Sequence, residues 1–204
     1  MEIIKLQTGA LGVNTYIASQ NLTEAFVVDP GGDAEKIQAA AAERGWHIRA
    51  VLLTHGHFDH IGALNKLRQN GAAVYISAAD APMLLDAQAS LAMLFGYPME
   101  PCRADFLLND GDKLSVGGAE IQVLATPGHT PGSVCYLTAE TLFSGDTLFC
   151  GSIGRTDFPG GDYGQLITSV KNRLLLLPEN LRVLPGHGDE TTLADERKYN
   201  PFVR

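Results

Sequence analysis

Short apolar or alternating runs, each followed by Gly, Pro, Asn or Asp, recur along the first third of the chain at residues 3–6, 14–18, 25–28, 50–53 and 73–76. Runs of this length bounded by turn formers predict β-strands. After the third, Asp33 is placed to cap a helix over 34–44, with Glu35 and Lys36 in its early turns and Gly45 past its end. A second helix is predicted to follow His60 and stop at Gly71. Residues 78–95, rich in Leu, Met and Ala, predict an irregular helical stretch interrupted at Pro82 and closed by Gly96 and Pro98, in the position of a lid. The alternation then returns at 113–116, 120–124, 133–137 and 141–144; a helix over 163–177 is ended by Pro178, and a last strand falls at 181–184. Strands in two batches, with helices before and after each, predict two sheets packed face to face with helices outside.

Composition narrows the setting. A chain of 204 residues with no linker or low-complexity tract is expected to form one domain over 1–204. With 45% hydrophobic and 19% charged residues and no apolar run of about 18, neither disorder nor a membrane span is expected. The opening MEIIKLQTGA reads as a strand and lacks the basic head, apolar stretch and cleavage site of a signal peptide. Three cysteines, Cys102, Cys135 and Cys150, cannot all pair within the chain, which favours a reducing compartment, the cytoplasm. The formal net charge of −8, with no local Lys/Arg cluster, argues against a nucleic-acid partner. A small-molecule substrate, no membrane partner and a monomer are the expectations.

The chemistry concentrates in Thr54-His55-Gly56-His57-Phe58-Asp59-His60, directly after the apolar run at 50–53. In an extended segment residues two apart point the same way, so His55 and His57 can chelate one ion; as the chain turns, Asp59 and His60 reach a neighbouring one. Imidazole and carboxylate donors suit a borderline divalent cation. His129 stands in Thr126-Pro127-Gly128-His129-Thr130-Pro131-Gly132 and His187 in Leu184-Pro185-Gly186-His187-Gly188, each on a Gly/Pro turn after an apolar strand. Singly, such a histidine is more often a loop residue; beside the first motif both read as ligands. Ser144-Gly145-Asp146-Thr147 is the same device with a carboxylate. His47 lies away from these motifs and reads as a surface or packing residue. Cys150, flanked by Phe149 and glycines, is expected to be buried by packing rather than to act as a nucleophile.

Over nearly the whole chain these residues resemble the metallo-β-lactamase-fold superfamily. The resemblance implies a four-layer αββα sandwich, two mixed β-sheets flanked by helices, with the site at one edge between the halves. It implies that His55, His57 and His129 bind one divalent metal, that Asp59, His60 and His187 bind a second, and that Asp146 bridges them. Zinc is the expected metal, with iron or manganese as alternatives. Asp29, in Val27-Val28-Asp29-Pro30-Gly31, matches a position that supports the site from behind, although aspartate is also a common turn former. Two cations sharing a water lower its pKa and polarise a carbonyl, so the expected nucleophile is a metal-bound hydroxide, with Asp59 assisting proton transfer.

Finer motifs narrow the substrate. Gly145-Asp146-Thr147-Leu148-Phe149, Gly154-Arg155-Thr156-Asp157-Phe158, Glu196-Arg197 and Asn200-Pro201-Phe202 are similar to short bacterial glyoxalase II-like hydroxyacylglutathione hydrolases. That family cleaves the thioester S-lactoylglutathione to D-lactate and glutathione. The helical C-terminal domain with which longer members bind glutathione is not expected within residues 1–204. Arg155 matches a basic position near the substrate, where a guanidinium holds a carboxylate bidentately; the competing reading is an ion pair with Asp157 or Asp162. Persulfide dioxygenases, with one iron held by two histidines and an aspartate, share the Gly-Arg-Thr-Asp run and are the alternative function. A metal-binding module without catalysis is a third reading.

Overall fold

The computed structural model describes all 204 residues. Six strands, β1 (Glu2–Thr8), β2 (Val13–Ser19), β3 (Glu24–Val28), β4 (His47–Leu52), β5 (Ala73–Ser77) and β6 (Phe106–Leu108), form one mixed sheet in sequence order. Pairing is antiparallel through β1, β2 and β3 and parallel from β3 to β6. The second sheet takes β7 (Lys113–Val116), β8 (Ala119–Ala125), β9 (Val134–Leu137) and β10 (Thr141–Gly145). After a small hairpin of β11 (Leu148–Phe149) and β12 (Ser152–Ile153), β13 (Arg182–Pro185) and β14 (Thr191–Thr192) complete it in the order β14-β13-β10-β9-β8-β7. β10 and β13 run parallel, and the other neighbours are antiparallel.

The central strands are apolar on both faces because both faces are covered. Along β2, β3 and β4 the period-two alternation sends Tyr16, Phe26, Val28, Ala50 and Leu52 into the core between the sheets, where they meet Ile121, Val123, Tyr136, Phe143 and Leu184. Phe143 is packed edge-on by Tyr16 and Phe26, with ring centroids 5.5 and 6.0 Å away. The intervening Ile17, Val27 and Val51 face outward, onto α1 (Ala34–Glu43) through Ile37 and Ala41, and onto the helix at Leu64–Gln69 through Leu64 and Leu67. On the far side Cys135, Leu142 and Val183 are covered by Leu166, Val170, Leu174 and Leu193. The four layers expected from the strand batches are present. No helix is long and apolar enough to cross a membrane.

Local departures have local causes. Asp33 does precede α1, but its backbone is left-handed (φ 53°) and its side chain caps nothing in the helix; Oδ2 accepts from Gly9 N at 3.0 Å instead. The C-terminal end closes as expected: Gly45 (φ 71°) lets Gly45 N and Trp46 N reach the Ala42 and Ala41 carbonyls, each at 2.9 Å. The helix predicted from His60 to Gly71 is two short ones, α2 (Phe58–Ile61) and α3 (Leu64–Gln69). The break falls where Ala63 N donates to Pro30 O, at 2.9 Å, rather than into the helix. Residues 78–95 hold a single 3₁₀ turn, Ala81–Leu84, and then irregular turns; Leu91 at φ 68° cannot continue a helix. The helix predicted over 163–177 is α4 (Tyr163–Asn172) followed by a 3₁₀ turn at Leu174–Leu176, separated by the non-helical Arg173. Sequence reading missed β6, the β11–β12 hairpin, β14 and α5 (Leu193–Tyr199), all short.

Candidate functional site

The runs that carry the chemistry follow the C-terminal ends of strands from both sheets: Asp29 after β3, His55 and His57 after β4, His129 after β8, Asp146 after β10 and His187 after β13. Carboxyl ends of parallel strands are where open sheets place ligands. His57 stays extended (φ −68°, ψ 147°) before α2 begins, and the first turn of that helix redirects Asp59 and His60.

Two clusters result. The donor atoms available on His55, His57 and His129 lie within 4.8 Å of one another, and so do those on Asp59, His60 and His187. Asp146 stands between them: Oδ1 lies 3.5 Å from His60 Nε2, while Oδ2 lies 3.7 Å from both His129 Nε2 and His187 Nε2. Asp59 Oδ2 approaches His187 Nε2 at 3.2 Å and His60 Nε2 at 3.7 Å. A third grouping, Asp29 with His55 and His60, also falls within this distance. Its carboxylate is already engaged, since Oδ1 accepts from Thr54 N at 2.8 Å and Oδ2 from Thr54 Oγ1 at 2.7 Å.

Hydrogen bonds behind the rings orient them. His129 Nδ1 lies 2.7 Å from the Arg155 carbonyl, which can only accept, so Nδ1 carries the proton and Nε2 presents a lone pair. His60 Nδ1 lies 3.0 Å from Asp29 Oδ2, a close approach of charge without hydrogen-bond geometry. The Thr54 hydroxyl spends its proton on Asp29, leaving its oxygen to accept from His55 Nδ1 at 3.0 Å. Nε2 of His55 and His57, both ring nitrogens of His60 and Oδ1 of Asp146 are buried with no hydrogen-bond partner. Each such orphan costs about 1–3 kcal/mol. Five of them in adjoining clusters of nitrogen and oxygen donors are what divalent cations satisfy, so the residues fit metal.

The electrostatics agree. Burial lowers the pKa of His55 well below its ordinary value, and the imidazoles of His60, His129 and His57 add to the effect. Burial and His129 bring His57 down to about 3. Burial works against a charge on His60, but Asp59, Asp146 and Asp29 outweigh it and hold its pKa well up. His187 is likewise raised against burial by its bond to Asp59 and by Asp146. Burial would raise Asp59 and Asp146, but His60 and its neighbours hold both low. These shifts predict a dome of stability for metal-free protein. As pH falls below about 6.5 the unfolded chain takes up protons that folded His55 and His57 refuse, so stability drops. The contribution of His60 and His187 is complete below about 6.5 and is lost as pH rises through their elevated values. Asp59 and Asp146 add a further loss only below about pH 4. The unfolding midpoint in chelator should therefore fall on both sides of neutrality; a flat profile contradicts the assignment.

The clusters open into a cleft of about 380 Å³ whose walls include Leu11, Phe58, Leu91, Phe95, Phe149 and Phe158. Leu91 and Phe95 come from the end of the segment expected as a lid. Arg155 lines the same cleft, but its Nε and an Nη each donate at 2.7 Å to the Asp157 carboxylate, and its guanidinium stacks 3.8 Å over Phe158. Of the two readings of Arg155, the ion pair with Asp157 is therefore present, and it sits on the rim of the site. Cys150 corrects an expectation: it is exposed at the turn of the β11–β12 hairpin, because the hairpin projects from the sandwich. His47 is exposed, as expected. Two residues escaped the sequence reading. Thr54 links Asp29 to His55, and Asp80 ties loops together just beyond β5; both follow strand ends, as the histidines do, and that position was the available signal.

The family described as the metallo-beta-lactamase superfamily matches residues 8–187. The chain is 40% identical to the probable metallo-hydrolase YqgX of Bacillus subtilis, covering 98% of this chain and 96% of that protein. It is 39% identical to the hydroxyacylglutathione hydrolase GloC of Haemophilus influenzae, covering 100% and 98%. Among solved structures it is similar to the BLEG-1 B3 metallo-beta-lactamase (TM-score 0.94, 39% identity, 99% of both chains). It also matches TTHA1623 in a di-iron-bound form (0.87, 39%, 98% and 99%) and ETHE1 from Myxococcus xanthus (0.85, 32%, 100% and 84%).

Proposed function

The chain belongs to the metallo-beta-lactamase superfamily, and from that premise we propose that it is a two-metal hydrolase of small thioesters of the hydroxyacylglutathione type. The observation that carries the reading is Asp146, whose carboxylate faces both donor clusters at once. His55, His57 and His129 would hold one divalent cation, Asp59, His60 and His187 the other, and Asp146 both; zinc is our first choice, iron and manganese the alternatives. When bound, such a pair supplies Lewis acidity and a nucleophile at neutral pH. The chain's own groups do the rest. Asp29, through Thr54, keeps the His55 ring aimed and stands 3.0 Å from His60 as a fixed negative charge. Asp59, already bonded to His187, is placed to take a proton at Oδ2. The aromatic walls of the cleft offer the acyl group an apolar surface. A thiolate leaves readily near neutral pH, its conjugate pKa being about 8.5, so a separate general acid matters less for a thioester than for an amide. The likeness to GloC supports this substrate class.

The alternative, an iron-dependent persulfide dioxygenase, draws on the Gly154-Arg155-Thr156-Asp157 run, and the likeness to ETHE1 weighs for it as the likeness to GloC weighs for the hydrolase. Oxygen separates the two. Zinc-loaded protein in an oxygen-free cuvette is expected to release glutathione from S-lactoylglutathione and to hold two metal ions per chain. Inert zinc protein, with iron protein that consumes oxygen in the presence of glutathione persulfide, would give the assignment to the dioxygenase.

Arg155 supplies a test of the rim. An exposed guanidinium contact is worth at most about 1 kcal/mol, so Arg155→Ala should raise KM for anionic thioesters by about fivefold and leave metal content intact. Equal loss with uncharged thioesters would show that Arg155 does not bind carboxylate.

A further inference from the structure

Asp80 is fully buried, belongs to neither donor cluster and has no part in the chemistry above. It forms no ion pair with a Lys or Arg, and His129 is the charged neighbour that most favours its ionised form. A buried carboxylate without a cationic partner is costly unless hydrogen bonds hold it, and here all three donors come from loops that carry histidines of the first cluster. Oδ2 accepts from Gly56 N at 3.1 Å and from Thr130 Oγ1 at 2.7 Å; Oδ1 accepts from Gly132 N at 2.7 Å. Gly56 is the residue between His55 and His57, and Thr130 follows His129.

The two loops reach Asp80 from different sheets, one after β4 and the other after β8. They lie so close that a Cβ on Gly132 would stand 2.5 Å from Asp80 Oδ1, and one on Gly56 would stand 3.1 Å from the Asp80 carbonyl. The turn is itself braced, with Asp80 N donating to Ser77 Oγ at 3.3 Å and Thr130 Oγ1 lying 2.6 Å from Ser133 Oγ. Asp29 does for His60 and His55 what Asp80 does for the other side, with one difference. Asp29 acts on a ring and a hydroxyl, whereas Asp80 acts on the backbone that spaces the rings.

We propose that Asp80 is a positioning residue for the first metal: it fixes the distance between His57 and His129 by clamping both loops with one carboxylate. The inference rests on the two-metal reading above. Its specific content is asymmetry. Loss of the clamp should weaken the His55, His57 and His129 cluster and spare the one built from Asp59, His60 and His187.

The test is zinc titration of metal-free protein against a chromophoric chelator, in two backgrounds. His187→Ala leaves the first cluster as the only complete one, and His129→Ala leaves the second. Asp80→Asn keeps the volume of the side chain but turns one acceptor into a donor facing other donors. It is expected to lower zinc affinity about ten- to a hundredfold in the His187→Ala background, the range for partners behind a metal ligand, and to leave affinity in the His129→Ala background unchanged. Leu174→Ala, in the core far from the site, controls for general destabilisation and should shift neither affinity. Should Asp80→Asn fail to fold, Thr130→Val removes one of the three bonds and should show the same asymmetry at smaller size. Equal losses in both backgrounds, or none in either, would overturn the proposal. If neither parent background binds zinc, the two-metal reading falls and takes the clamp with it.

Discussion

Asp146→Ala is expected to lower thioester turnover by at least about a hundredfold and to leave the protein with less than its full complement of metal. Removing a group that merely supports a ligand costs ten- to a hundredfold. Asp146 is itself placed as a donor, and to both clusters. Its two oxygens lie 3.5–3.7 Å from nitrogens of His60, His129 and His187, and those imidazoles hold its carboxyl far below the usual carboxylate range in spite of burial. No neighbouring carboxylate stands ready to take over: Asp59 is engaged with His187 and His60, and Asp29 with Thr54 and His60. Metal per chain and kcat, measured on the same preparation, check this. Wild-type values for both would remove Asp146 from the site.

The second large effect comes from one methyl group. Gly186 precedes His187, donates its N–H to Gly145 O at 2.9 Å and accepts from Asn14 N at 2.7 Å. Its backbone lies outside the positive-φ region, so alanine brings no strain of its own. The added Cβ, however, would press on Asp146 Oδ1 and stand 2.7 Å from His60 Cε1. We expect Gly186→Ala to lose at least about tenfold in affinity for the second metal, as the disturbed ligands cannot withdraw from a close-packed wall. The unfolding midpoint of the metal-free protein should move by only a few degrees. Gly188→Ala should show the reverse signature. Gly188 has open space around it but φ of 77°, so the substitution costs about 1 kcal/mol of stability and leaves metal binding alone. Matching phenotypes for the two variants would mean that backbone freedom, not space, decides at both positions.

The central strands were legible because both of their faces are buried, which turns β2, β3 and β4 into nearly unbroken apolar runs. The histidine loops were legible because their residue types are rare and follow strand ends. What stayed hidden obeys longer-range rules. β6 is three residues long with Phe106 and Leu107 exposed, and it exists only because β5 offers a parallel edge. The helix expected from His60 breaks because Pro30, far away in sequence, claims the Ala63 amide. Glycines and Phe149 beside Cys150 suggested packing, yet the hairpin lifts the thiol into solvent. Asp80 stands among alanines in Ala78-Ala79-Asp80-Ala81, marked locally only by its place after β5; its donors lie 24, 50 and 52 positions away along the chain.

The donors are also spread in time. On a ribosome, His55, His57, Asp59 and His60 leave the exit tunnel early, with the first sheet, while His129 and Asp146 await the second and His187 awaits β13, the next-to-last strand to be made. For much of its synthesis the chain thus carries three of the histidines and one aspartate without the rest of either donor set. The first set cannot be complete until β10 has been made, because Asp146 follows it, nor the second until β13 has, because His187 follows that.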